Sequence, residues 1–150
     1  MNSISKKIIN CFERKSKVLL GGNGGSSAQA SHFSEELISH GLPAIALNDP
    51  QVITALINDF SPDEVFSRYV KALGTRGDIF IAFTTSGKSQ NLIEAKFTAE
   101  ELGMEAIEWP HDKGKTTEEK QNNQLVEMHE VYREVVNYFK GNYPLTTGTE

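Results

Sequence analysis

Several features that would assign a function quickly are scarce in this sequence of 150 residues. It has one cysteine, Cys11, so no internal disulfide can form; we expect a cytoplasmic protein with this thiol as a small buried apolar residue. No apolar run approaches the ~20 residues of a membrane-spanning helix, and no signal-type apolar region follows the N-terminus. The 15 basic residues are outnumbered by 20 acidic ones and form no tract. We therefore expect neither a membrane nor a nucleic acid as partner.

Two short loops rich in glycine and hydroxyl residues carry most of the information. Residues 21–27 (GGNGGSS) follow the apolar run 18–20, and residues 84–89 (TTSGKS) follow the run 79–83. Helical-looking segments come directly after both loops. Such turns leave backbone N–H groups unpaired and aimed at one spot, where the helix dipole and the hydroxyl groups add attraction for an anion. Two of them predict a phosphorylated ligand in the crevice at the carboxyl ends of parallel strands.

Neither loop is a complete nucleotide-binding motif. Residues 87–89 (GKS) look like the tail of a P-loop, but the first glycine of that motif is replaced by Ala82. Gly22 and Gly24 have the spacing of the dinucleotide fingerprint, but Ser27 stands at its third glycine position. A plain turn that needs glycine for positive φ is the simplest alternative. The four glycines, one asparagine and two serines exceed that need, so we expect an anion loop and no nucleotide cofactor.

Hydrophobic periodicity predicts strands that alternate with helices. We expect strands at residues 17–20, 44–47, 79–83 and 106–109, and helices at residues 3–14, 27–39, 50–57, 63–73, 89–102 and 124–140, with a polar loop over 111–123. This alternation predicts an α/β protein, a three-layer α/β/α sandwich around a small parallel sheet of about four strands. Residues 1–141 would form one domain and residues 142–150 a frayed tail. So small a sheet favours packing against another subunit.

Several motifs, in order, resemble the sugar isomerase (SIS) domain family and its phosphoheptose isomerase branch. They are GNGGSSA (22–28), SHFSEEL (31–37), PAIAL (43–47), NDF (58–60), DEVFSR (63–68), GD (77–78) and TTSGKS (84–89), which is similar to the family's S-T-S-G-N-S. The resemblance covers residues 17–104 and implies a flavodoxin-like SIS domain. It also implies a homodimer or homotetramer. The implied activity is a ketose–aldose isomerase of the sedoheptulose 7-phosphate to D-glycero-D-manno-heptose 7-phosphate type, working through an enediol.

The resemblance also implies site residues. Those that would contact the phosphorylated sugar are Asn23, Gly24, Gly25, Ser26, Asn58, Asp59, Thr84, Thr85, Ser86 and Ser89. The family's histidine and catalytic glutamate correspond to His32 and Glu36. At i and i+4 on a helix these two side chains face the same way, so they can hold a divalent metal or act as base and partner. Alternatively, His32 and Glu36 are a pair of surface side chains with no catalytic or metal-binding role.

The C-terminal third departs from the family, whose fifth strand is absent between residues 110 and 123. In the family a Gln and a His, eight residues apart, complete the metal site, and the His is also an acid/base. Two registers remain open. The string EMH (127–129) resembles the family's E-[IM]-H and puts Val126 and Glu134 at those positions, whereas spacing alone selects Gln121 and His129.

We favour the second register. One zinc ion per subunit would then be held by His32, Glu36, Gln121 and His129, and catalysis would use Glu36 and His129. A half-buried helix histidine without a role is the alternative for His129. The alternative for the whole protein is a non-catalytic SIS module that binds a sugar phosphate as a sensor or as a protein-interaction domain.

Overall fold

The computed structural model describes residues 1–140, so the predicted helix end at Gly141 and the predicted tail 142–150 lie outside it. Within these residues four parallel strands form one sheet: β1 (Val18–Gly22), β2 (Ala44–Ala46), β3 (Ile79–Phe83) and β4 (Glu105–Glu108). Their order is β2-β1-β3-β4. This is the flavodoxin-like order, here without a fifth strand in the described part of the chain. The predicted fold class is confirmed.

Helices cover both faces of the sheet. On one face lie α1 (Ser3–Glu13), α2 (Gly25–Ile38) and α6 (Thr117–Phe139); on the other lie α3 (Pro50–Asp59), α4 (Val65–Leu73) and α5 (Gln90–Glu101). Successive strand side chains alternate between the two cores: Val18 and Leu20 enter the first, and Leu19 enters the second. Burial on both faces explains why β1 and β3 are continuous apolar runs.

The beginning of α6 is the main correction to the predicted elements. The segment 111–123 is not all loop, because α6 already begins at Thr117. The Thr116 side chain accepts from the Glu119 N–H, and the Glu119 side chain accepts from the Thr116 N–H, which is a capping box. The first turn of α6 is exposed and has no apolar stripe for periodicity to detect. The helix expected at residues 63–73 begins instead with a short 3-10 turn, Pro62–Glu64, and α4 follows from Val65.

Cys11 is buried in the first core, as predicted. Burial raises the pKa of its thiol to about 11, so the side chain behaves as a small apolar residue rather than a nucleophile. None of the helices between residues 1 and 140 combines the length and the apolar character needed to cross a bilayer.

Asp78 joins the start of β3 to the start of β1. Its carboxylate accepts hydrogen bonds from the Lys17 N–H (3.0 Å) and ammonium (2.7 Å), and from the Thr75 N–H (2.9 Å) and hydroxyl (3.0 Å). Burial raises the pKa of this carboxyl, but the hydrogen bonds from Lys17 and Thr75 outweigh burial, and the net pKa is lowered. The ionised carboxylate therefore holds two adjacent strands at their amino ends.

We predict that Asp78→Asn lowers the free energy of unfolding at pH 7 by about 1–3 kcal/mol, because the carboxylate charge that strengthens its four hydrogen bonds is lost. The folded-state pKa lies below the unfolded value of about 3.9, so this stabilisation is present above that value and is lost as pH falls through the folded pKa. Urea titrations should show a difference between the two proteins that is large at pH 7 and smaller at pH 3. Asp112→Asn, at an exposed aspartate, is the control. A difference that does not change with pH would contradict this role of the charge.

Candidate active site between two loops and helix α6

The two loops singled out in the sequence leave adjacent strands at the carboxyl edge of the sheet. β1 and β3 pair in register, with Gly22 opposite Phe83, so both loops begin side by side. From there α2 runs onto one face of the sheet and α5 onto the other. This is the topological switch point of a flavodoxin-like sheet, the place where such folds bind ligands.

Both helices that follow these loops begin without a side-chain cap. The N-cap residues are Gly24, with φ of 57°, and Ser89, and neither accepts a side-chain hydrogen bond from the first turn. By contrast, Asn2, Asp49 and Thr116 cap α1, α3 and α6 with their side chains. At these two helix N-termini, where the dipole favours negative charge, the N–H groups of the first turn therefore have no capping side chain of their own.

Hydroxyl groups of the second loop accept hydrogen bonds from the loop's own backbone. The expectation that these backbone N–H groups are unpaired is therefore wrong. Thr84 Oγ1 accepts from the N–H groups of Ser86 (3.3 Å) and Gly87 (3.0 Å), and Ser86 Oγ accepts from the Lys88 N–H (3.1 Å). A hydroxyl that accepts in this way still has its proton to donate. The loop therefore offers the O–H groups of Thr84 and Ser86 to a ligand, rather than the backbone N–H groups of residues 86–88. Thr84 is buried, whereas Thr85 and Ser89 are half-buried and Ser86 is exposed.

The first loop meets the start of α5. Asn23 and Asn91 exchange side-chain hydrogen bonds of 3.1 and 2.9 Å, while Ser26 is buried. Gly22 has no room for a side chain, because a Cβ there would lie 2.6 Å from the Ser26 carbonyl oxygen. A cavity of about 320 Å³ opens beside this loop and is lined by Gly22, Asn23, Gly24, Ser27 and Asn91, together with Ile53, Ile57, Pro62, Val65 and Phe66.

Asn58 and Asp59 lie away from this cavity. Both are exposed at the end of α3, and Asn58 donates a side-chain hydrogen bond to Asp59 (2.9 Å). The side chains that α3 turns toward the first loop are instead Ile53 and Ile57. Within residues 1–140 the structure therefore does not join this predicted pair to the loops.

The first turns of α6 contact both loops. The Gln121 carboxamide lies against Gly25, where a Cβ would be 2.6 Å from Gln121 Nε2. Gln29 Nε2 also donates to the Gln121 carbonyl oxygen (2.8 Å), which joins α2 to α6. A side chain at position 25 would displace the flexible end of Gln121, so glycine there is what lets the carboxamide lie directly against the first loop.

Gln124 and Lys120 bind the second loop, and the sequence analysis missed both. Gln124 Nε2 donates to the Thr84 carbonyl oxygen (2.7 Å), and Lys120 Nζ donates to the Thr85 carbonyl oxygen (3.0 Å). Only the i, i+4 spacing of the two side chains on α6 hints at a shared contact. Nothing local in the sequence identifies the loop as their partner.

His32, Glu36 and His129 come together between α2 and α6, and all three are half-buried. His32 Nε2 lies 3.1 Å from His129 Nε2 and 3.3 Å from Glu36 Oε1. Two imidazole nitrogens and a carboxylate oxygen are the donor set of several catalytic zinc sites. Ligand atoms ~2.0–2.1 Å from a tetrahedral ion would be roughly 3.3 Å apart. The donor set and its spacing therefore fit a divalent cation with one open position.

The other residues considered for the metal site lie elsewhere. Gln121 is about two turns, or ~12 Å along α6, from His129. Val126 is 66% exposed, and Glu134 accepts a hydrogen bond from the Asn2 N–H (2.9 Å). The register that pairs Gln121 with His129 therefore brings one residue, His129, into the triad. The register with Val126 and Glu134 brings none of its residues there.

Tyr132, which the sequence marks only as part of the apolar stripe of α6, supports Glu36. Burial raises the pKa of Tyr132, and so do the negative charge of Glu36 and the hydrogen bond between the two side chains. The tyrosine ring also packs edge-on against His40, with 5.6 Å between ring centroids. Glu36 is therefore held from its own helix by His32 and from α6 by Tyr132.

Comparisons with known proteins agree on one family. The family model of the SIS domain matches residues 1–108. The chain is 44% identical over 109 residues to a phosphoheptose isomerase of Sodalis glossinidius, which covers 69% of this chain and 56% of the relative. It is 42% identical over 113 residues to a phosphoheptose isomerase of Vibrio cholerae, with 71% and 59% covered. The chain thus spans a little more than half the length of these curated relatives.

Solved structures give the same result. The phosphoheptose isomerase of Neisseria gonorrhoeae matches with a TM-score of 0.85 and 32% identity, covering 89% of this chain and 83% of that one. The phosphoheptose isomerase of Francisella tularensis matches with a TM-score of 0.84 and 30% identity, with the same shares covered.

We predict that His129→Gln weakens Zn²⁺ binding by more than ~100-fold, because it removes one of three ligands. Loss of a residue that only hydrogen-bonds to a ligand typically costs ~10–100-fold in metal affinity. Glu134→Gln, on the same helix, is the matched control and should leave Zn²⁺ affinity unchanged. Competition with a chromophoric chelator measures the affinities, and circular dichroism checks the fold of each variant. The reverse result, weak binding by the Glu134 variant and normal binding by the His129 variant, would reject this triad.

Proposed function

Because the chain belongs to the SIS domain family, we propose that it is a phosphosugar isomerase that interconverts sedoheptulose 7-phosphate and D-glycero-D-manno-heptose 7-phosphate through an enediol. One observation carries the proposal. The same two helices, α2 and α6, contact the anion loops at one end and hold the His32–Glu36–His129 triad farther along. An isomerase of this kind needs a phosphate-binding site and a pair of proton-transfer groups at a defined distance from each other.

The separation between the two parts suits an extended sugar phosphate. His32 lies seven residues after Gly25, which is about 10 Å along α2. This distance is comparable to the length of an open-chain heptose with its phosphate at one end and the reacting carbons at the other. The loops would bind the phosphate, and the triad would face C1 and C2.

In the proposed mechanism Glu36 is the base and His129 is its partner acid. From the ketose, the Glu36 carboxylate takes a proton from C1 while His129 gives a proton to the C2 carbonyl oxygen, and the enediol forms. The O1 hydroxyl then returns its proton to His129, and Glu36 delivers its proton to C2, which produces the aldose. His32 and Tyr132 keep the carboxylate in position. A zinc ion held by His32, Glu36 and His129 would occupy the His129 nitrogen that donates in this scheme, so in a zinc-bound form the ion would polarise the C2 carbonyl in place of His129.

The remaining predicted residues have binding roles in this proposal. The hydroxyls of Thr85, Ser86 and Ser89 and the backbone N–H groups of Gly24 and Gly25 take the phosphate, while buried Thr84 keeps the second loop in shape. The Ser26 N–H already donates to the Asn23 carbonyl oxygen (3.0 Å), so buried Ser26 keeps the first loop in shape. Asn23 orients the sugar hydroxyls. Asn58 and Asp59 are exposed, so we assign them to the site of a neighbouring subunit in a homo-oligomer. We further propose a cytoplasmic location.

A non-catalytic sugar-phosphate module is the second candidate, and one feature favours it. Gln121, the expected fourth metal ligand, lies against Gly25 instead of beside the triad. A domain that kept its phosphate loops but lost proton transfer would act as a sensor.

We predict that Glu36→Gln lowers kcat on sedoheptulose 7-phosphate by about 10²–10⁴-fold and leaves its affinity nearly unchanged, because the base is lost while the phosphate grip remains. The neighbouring exposed Glu35→Gln is the matched control and should keep full activity. Aldose formation and the exchange of substrate hydrogen in D₂O measure the reaction, with and without added Zn²⁺. Binding by the unaltered protein without turnover or exchange would reject the isomerase and support the sensor.

A further inference from the structure

Lys120 brings a positive charge to the second loop. Its Nζ donates to the Thr85 carbonyl oxygen at 3.0 Å, and its side chain is half-buried. Within residues 1–140 no carboxylate forms an ion pair with this ammonium, whereas Lys7, Lys17, Lys96 and Lys113 each pair with an acidic side chain. The two remaining N–H donors of this ammonium have no carboxylate partner among residues 1–140, so the position is suited to a negative group from outside the protein.

The neighbours of Lys120 locate its charge relative to the two loops. The next residue, Gln121, lies against Gly25 of the first loop, and Gln124, one turn later, binds the Thr84 carbonyl oxygen of the second. The start of α6 therefore spans the crevice between the loops, and the Lys120 ammonium lies on its second-loop side. The chain has a net charge of −5, so no overall field attracts an anion here and a local cation has a correspondingly large effect.

We propose that Lys120 is a phosphate-binding residue that makes the site select phosphorylated sugars over unphosphorylated ones; this rests on the proposed function of the site. An ammonium has three N–H donors, and the Thr85 carbonyl uses one of them, which leaves two for phosphate oxygens. The bond to Thr85 also holds the long side chain in place before the ligand arrives, so less conformational entropy is lost on binding. Lys88, on the loop itself, is exposed.

The test compares Lys120→Met with the unaltered protein by calorimetric titration with sedoheptulose 7-phosphate, inorganic phosphate and unphosphorylated sedoheptulose. We expect the variant to lose about 10–100-fold in affinity for both phosphate compounds, the range for a charge-assisted hydrogen bond, and to keep its affinity for sedoheptulose. Lys120→Arg retains the charge and should lose less. Lys115→Met, at an exposed lysine five residues earlier, is the matched control and should bind like the unaltered protein.

Three results would overturn the proposal. Equal losses for the sugar and its phosphate would mean that Lys120 only holds the loop. Normal phosphate affinity in Lys120→Met, or a loss seen in Lys88→Met instead, would remove Lys120 from the site and leave the proposed function standing. If the unaltered protein binds no phosphorylated sugar, the proposed function fails first and the role of Lys120 fails with it.

Discussion

The register between β1 and β3 is the constraint on which the rest of the site depends. With Gly22 opposite Phe83, the two loops begin side by side, and the helices after them diverge to opposite faces of the sheet. Asp78 secures this register from the other end by binding Lys17 just before β1. If the pairing of β3 slipped by one residue, each β3 side chain would move from one core to the other, because alternate side chains face opposite sides of the sheet. The crevice is therefore a consequence of strand pairing.

Helix α6 completes the crevice at both ends. Its apolar side chains, among them Met128, Val131 and Val135, pack into the first core and set its position against α2. Its first turns then reach the loops, and its middle reaches the triad through His129. Because a helix is rigid over this length, packing of its buried face determines where its polar side chains lie.

The proposed function combines weak local attractions for an anion with two rigid helices that position the groups for proton transfer. In the proposed function, helix dipoles, loop hydroxyls and the Lys120 ammonium would act at the phosphate end, so phosphate binding would not need a basic surface. At the other end the Glu36 carboxylate lies 3.3 Å from His32, and its charge raises the pKa of Tyr132 on α6. The proposed separation of phosphate binding and proton transfer along α2 would make substrate length a determinant of specificity.

The strands, the two loops and the fold class could be read from the sequence, because buried parallel strands, glycine turns and helix periodicity are set by neighbouring residues. The contacts of Lys120 and Gln124 could not, since their loop partners lie 35 and 40 residues away in the chain. The choice between Glu134 and His129 was equally open, because spacing and local string favoured different residues. Tertiary packing alone put His129 beside His32, 97 residues away, and Glu134 beside Asn2, 132 residues away. Local patterns determined the elements and the loops, whereas the depth and rotation of α6 in the core decided which side chains meet across the crevice.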